Sequence, residues 1–194
     1  MNRSFVDYLV SWAGLVIAVV LLAAGGLMVW GHTYINNQVH DQLASQKIFF
    51  PPKGSKAIAG PQFVAMQKYA GQQLTTGAQA QTYANHFIAV HLSEVAGGKT
   101  YAQVSTAALA DPTNVALQTQ KTTLFQGTTL RGLLLNAYAF GTVSTIVGIA
   151  AIVSFVGAGI LLVLSGLGFV HARRTKPSTA TAAATDQENV VKAA

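Results

Sequence analysis

Thirty-nine consecutive residues, Gly132 to Val170, carry no charged side chain, and the run is closed by Arg131 on one side and by Arg173 and Arg174 on the other. As a helix rising 1.5 Å per residue it would reach about 58 Å, nearly twice the ~30 Å hydrocarbon core of a bilayer. The stretch therefore predicts one membrane span with length to spare. Tyr8 to Trp30 is a second uncharged run, of twenty-three residues, with Tyr8 and Trp12 near one end and Trp30 and Tyr34 near the other. Aromatic residues at those places match the two interfaces of a span. A cleaved signal peptide is the rival reading of this segment, with Arg3 ahead of Leu9 to Leu22 and small residues at Ala23 to Gly26. The apolar run continues to Trp30, which suits an anchor better.

Composition points the same way. Only 9% of the residues are charged and mean hydropathy is +0.40, against about 25% charged in an average soluble domain. With no cysteine, disulfides, thiolate metal sites and thiol nucleophiles are all excluded. The twelve Lys and Arg give a net charge of +6 but are scattered, without the basic stripe that nucleic acid requires, so no nucleic-acid partner is expected.

Arg173, Arg174 and Lys176 directly follow the second run, and the positive-inside tendency assigns them, and with them both termini, to the cytoplasm. Residues 31–131 are then extracytoplasmic despite seven Lys and Arg against three acids, because loops longer than about 60 residues translocate largely regardless of charge. The expected fold is an all-α membrane protein: two transmembrane helices with a small helical extracytoplasmic domain between them. Its divisions are a short terminus 1–7, spans 8–30 and 140–170, the outer domain 31–131, a helical stalk 132–139, and a basic flank with a disordered tail 171–194. Tyr138 and Phe140 mark the outer interface in this scheme.

Within the outer domain, Pro51 and Pro52 forbid helix after Phe49 and Phe50. Those two phenylalanines either fill a local core or, with Arg131, Tyr138 and Phe140, touch the bilayer or a partner. Thr75 or Thr76 opens the strongest outer helix, which carries Tyr83, Phe87, Val90 and Val95 and stops at Gly97-Gly98. Thr100 and Gln103 form a capping box for the next helix. Asp111-Pro112 is expected to cap a third, and Gly127-Thr128-Thr129 to interrupt it.

Few residues invite chemistry. Gly97-Gly98-Lys99-Thr100 imitates the end of a phosphate-binding loop, but Ser93 stands where its first glycine belongs and a helix precedes it. His91 and Glu94 are three apart on one helix and make a weak metal pair that would need His32 or His40 to complete it, whereas His86 and His91 are too far around the helix to chelate. No metal or cofactor and no enzymatic activity are expected. In the spans, Gly14 with Ala18, and Ala150, Ser154 and Ala158, repeat every four residues. Small residues at that spacing let helix backbones approach closely. Neither span holds an ionisable residue, which argues against an ion or proton pathway.

Three stretches, Phe49 to Ser55, Asn85 to Val95 and Thr129 to Phe140, together resemble an uncharacterised family of small two-span membrane proteins from actinobacteria. The resemblance covers most of the chain from Trp30 to Arg174 and implies no activity. A ring-opening dioxygenase label attached to some relatives would need an iron-ligand set that this sequence does not offer. The expected function is a non-enzymatic accessory or scaffold component of a membrane assembly. Its partners would be the lipid bilayer, other membrane proteins or further copies of itself. The alternative is an extracytoplasmic ligand-binding or sensing domain, with Tyr83, Phe87 and Tyr101 lining a pocket.

Overall fold

The computed structural model describes residues 3–174, so the predicted disordered tail lies almost wholly outside the described residues. Two long helices dominate: α1, Arg3–Ser45, and α6, Val115–Arg174. Both contain stretches long and apolar enough to cross a membrane. Their apolar side chains are mostly exposed, with Leu9, Leu27, Ile152 and Val163 all more than 60% accessible. A core helix of a soluble protein would bury such residues, so this exposure favours lipid as the missing cover.

The chain forms two compact units, Met1–Met28 with Ile149–Ala194, and Val29–Gly148, and α1 and α6 each contribute to both. The first, apolar unit consists, among the described residues, of helix alone. The second adds four short helices: α2 (Val64–Gln67), α3 (Gly77–Tyr83), α4 (Ala89–Ala96) and α5 (Tyr101–Ala110). No strand occurs among the described residues.

Local chemistry sets most boundaries. Past Ser45, Lys47 adopts a left-handed conformation (φ 53°), and the side chain of Gln73 donates to the carbonyl of Ala44 at 2.8 Å. That bond satisfies one of the carbonyls a helix end leaves open. Ile48 to Phe50 then lie beside Gln72 to Leu74 and exchange two backbone hydrogen bonds of 2.9 Å. Thr76 caps α3 in a capping box with Gln79, and Thr100 does the same for α5 with Gln103. Gly97 ends α4 in the left-handed region.

Two local expectations give way. Asp111 is not the cap of the last helix; Asn114 Oδ1 accepts from Leu117 N–H, and Asp111 instead anchors the preceding turn through Thr113 and Asn114. Nor does Gly127-Thr128-Thr129 break the helix. The two threonine hydroxyls donate back to the carbonyls of Leu124 and Phe125, and Leu92 packs on Gly127. Tertiary contact there offsets the poor helix propensity of glycine.

The core of the second unit gathers Val39 and Leu43 of α1, Leu134 of α6, and Phe50, Ile58, Phe63, Met66, Leu74, Ala80, Ala84 and Ile88 from the segments between. A satellite cluster joins Ala96, Val104 and Leu124. Phe50 is 2% exposed and Phe49 56%. The first fills the core and the second projects outward.

Candidate functional site

In the apolar unit the buried positions of both long helices recur every seven residues. Ser11, Ala18 and Gly25 are buried on α1, and Ala151, Ala158, Ser165 and Ala172 on α6. In the second unit the spacing continues with Val39 on one helix and Ser144 on the other. A seven-residue repeat keeps one face of a helix turned to its neighbour through a left-handed supercoil. Small side chains at those positions allow the backbones to come close. In the apolar unit a methyl group on Gly14 would strike Ser165 Oγ and one on Gly168 would strike Ser11 Oγ, so each helix seats a serine over a glycine of the other.

Of the residues expected to pack the helices, Ala18 and Ala158 are fully buried, Gly14 faces Ser165, and Ala150 and Ser154 are half-buried. The four-residue stripe of α6 is therefore an edge of the contact, whose centre is the seven-residue series. That series is legible in the sequence as Ser11, Ala18, Gly25 and as Ser144, Ala151, Ala158, Ser165, Ala172 once a seven-residue spacing is tried.

In the second unit the pair is locked by a polar clamp. Ser144 Oγ donates to the carbonyl of His32 at 3.0 Å, and His32 Nδ1 lies 2.7 Å from the carbonyl of Ser144. A carbonyl only accepts, so Nδ1 carries the proton. The imidazole also covers Gly148, where a Cβ would sit 3.0 Å from Nδ1.

Beyond the clamp, a groove of about 460 Å3 runs between α1 and α6, with Tyr34 and Phe140 among its walls. Ile35, Leu43, Leu133 and Leu134 supply apolar surface, and Gln38, Gln42, Gln46 and Asn136 supply amides. No charged residue lines it.

A second cleft, of about 280 Å3, has the opposite character. Lys99 and Arg131 both line it, with hydroxyls from Ser93, Thr100, Tyr101 and Thr128, and no acid does. The Nη2 of Arg131 donates to Asn85 Oδ1 at 2.9 Å, while its buried Nε has no hydrogen-bond partner. Asn85 belongs to a π-helical turn, Ala84–Ile88, set between α3 and α4. Such turns interrupt regular helices rarely and concentrate at functional places.

The remaining candidates separate. His91 Nδ1 donates to the carbonyl of Phe87 at 2.8 Å and its ring packs, tilted, against Phe87 and Phe63. His40 pairs with its neighbour Asp41. Among the described residues no three His, Asp or Glu side chains come together, so His91 and Glu94 gain no third ligand from His32 or His40. Of the three residues expected to line a pocket, Tyr83 and Phe87 touch each other. Tyr83 packs edge-on to Phe50 and against Phe87 at the main core, whereas Tyr101 pairs with Phe125 elsewhere. Burial raises the pKa of the Tyr83 phenol above its usual 10.0. Tyr138 is half-buried and Phe140 exposed.

No family model, no curated protein and no solved structure matches this chain.

Proposed function

We propose that this chain is a non-enzymatic two-span membrane protein, with both termini cytoplasmic and a small helical domain outside, that serves as an accessory or scaffold component of a larger membrane assembly. The observation that carries the reading is the narrow seam of small residues between α1 and α6. In the apolar unit it occupies one face of each helix and leaves the other faces apolar and open. Lipid and further membrane helices are the two partners such faces accept. The serine-over-glycine contacts favour a helix pair of fixed register, as a scaffold requires.

In this reading the second span is residues 140–170, with the stalk at 132–139 above it. Tyr8 and Trp12 pack on Phe169, which suits an aromatic belt at one interface. Likeness to the small two-span actinobacterial proteins fits this architecture.

Gentle purification from native membranes, with crosslinking beforehand, tests the proposal. A stable heteromeric or homomeric complex is expected. Recovery of monomer alone under both conditions overturns it.

A ligand-binding or sensing outer domain is the second reading, and the uncharged groove between residues 34–46 and 133–140 favours it. Apolar walls and a row of amides suit a neutral amphiphile. Protection of Gln42→Cys from a thiol reagent by a bound neutral lipid would support this reading, and unchanged labelling would remove it.

A further inference from the structure

We infer that the cleft between α4, the start of α5 and α6 binds a small organic anion through a carboxylate or phosphate group held by Arg131 and Lys99. The site goes beyond the scaffold reading and is independent of it, since binding there needs no membrane partner.

Arg131 poses the physical question. Its guanidinium is positively charged and half-buried, and among the described residues no carboxylate lies within ion-pair distance of it. A partly buried cation with no carboxylate against it is costly, and an oxyanion in the cleft is the group that offsets its charge. Asn85 supplies one neutral acceptor and thereby orients the guanidinium rather than neutralising it. The π-turn that carries Asn85 is thus a positioning device, and Asn85 a positioning residue.

The rest of the cleft has matching chemistry. Lys99 stands on the same cleft and adds a second positive charge, with no acid among the lining residues to cancel it. Leu92 and Leu124 add apolar surface to the lining. At about 280 Å3 the space suits an anionic head with a small apolar body, and lies near the lower end, about 300 Å3, of ordinary ligand sites. This arrangement differs from a phosphate-binding loop, because side-chain cations, not a glycine-rich backbone cradle, provide the charge.

Two sources offer such a group, a soluble metabolite and the head of an anionic lipid. Titration of the full chain in phosphatidylcholine nanodiscs with benzoate and with phenyl phosphate, and with benzamide as the neutral control, reads the site directly. Saturable binding of at least one anion is expected, weakening with added salt, with benzamide silent. Arg131→Gln should weaken it about tenfold or more and Lys99→Gln several-fold, as expected for loss of charge-assisted hydrogen bonds. Repeating the titration with phosphatidylglycerol in the nanodisc separates the sources. Loss of probe binding assigns the site to a lipid head, and unchanged binding assigns it to a soluble anion. Absence of saturable binding by both anions in phosphatidylcholine overturns the site. So does equal affinity in an Arg131→Gln protein that melts like the parent. If that variant fails to fold, exposed Lys99 decides: undiminished affinity in Lys99→Gln overturns the inference.

Discussion

Ser144 and His32 bind each other twice, the serine hydroxyl giving its proton to the histidine carbonyl and the imidazole Nδ1–H giving its own to the serine carbonyl. Ser144 is 1% exposed, so neither bond competes freely with water. Reciprocal pairing of this kind fixes rotation and translation of one helix against the other at once.

Ser144→Ala should cost about 1 kcal/mol, the net value of a buried hydrogen bond. His32→Ala should cost more, because it also uncovers Gly148. A double-mutant cycle by denaturant unfolding in micelles is expected to give a coupling of roughly 0.5–1.5 kcal/mol. Additive effects would show that the two residues do not act as a pair.

The helix seam makes two glycines unequal. Gly14 faces Ser165, while nothing lies within 4 Å of a Cβ placed on Gly26. Gly14→Leu should destabilise the chain by about 1–3 kcal/mol through overpacking, with Gly26→Leu near neutral. Equal melting temperatures for the two variants would contradict the seam.

Neighbouring phenylalanines should respond oppositely. Phe50→Ala empties a core position touched by the rings of Tyr69 and Tyr83 and is expected to cost about 3–5 kcal/mol. Phe49→Ala should change stability by less than about 0.5 kcal/mol, as surface substitutions do. A loss of partner recovery with Phe49→Ala at unchanged stability would identify Phe49 as a contact residue.

Alkaline pH offers a separate check on the core. Because burial raises the Tyr83 pKa above 10.0, the folded chain holds that proton more tightly than the unfolded chain. Its contribution to stability is full below pH 10 and is lost as pH rises through the folded value. Tyr83→Phe should therefore melt with a shallower alkaline decline than the parent above pH 10. Parallel declines would place the phenol in water.

Much of the local punctuation was legible in residue order. Thr76 with Gln79, Thr100 with Gln103, and Gly97 announce helix ends because caps act over three or four residues. The long apolar runs likewise announce helices fit for a membrane, since hydropathy is a sum over neighbours. Asp111 misled because Asn114, three residues on, offers an equally good cap, and Gly127 misled because Leu92 covers it from another helix.

What residue order alone determined was the helical class, the two apolar helices and most helix starts. Only the tertiary structure decided that Ser11 meets Gly168 and Gly14 meets Ser165, that His32 closes on Ser144, and that Arg131 shares a cleft with Lys99. These pairings join residues from 32 to 157 positions apart. Their selection depends on side-chain shape and unpaired charge across two surfaces, and a single helix read by itself carries neither.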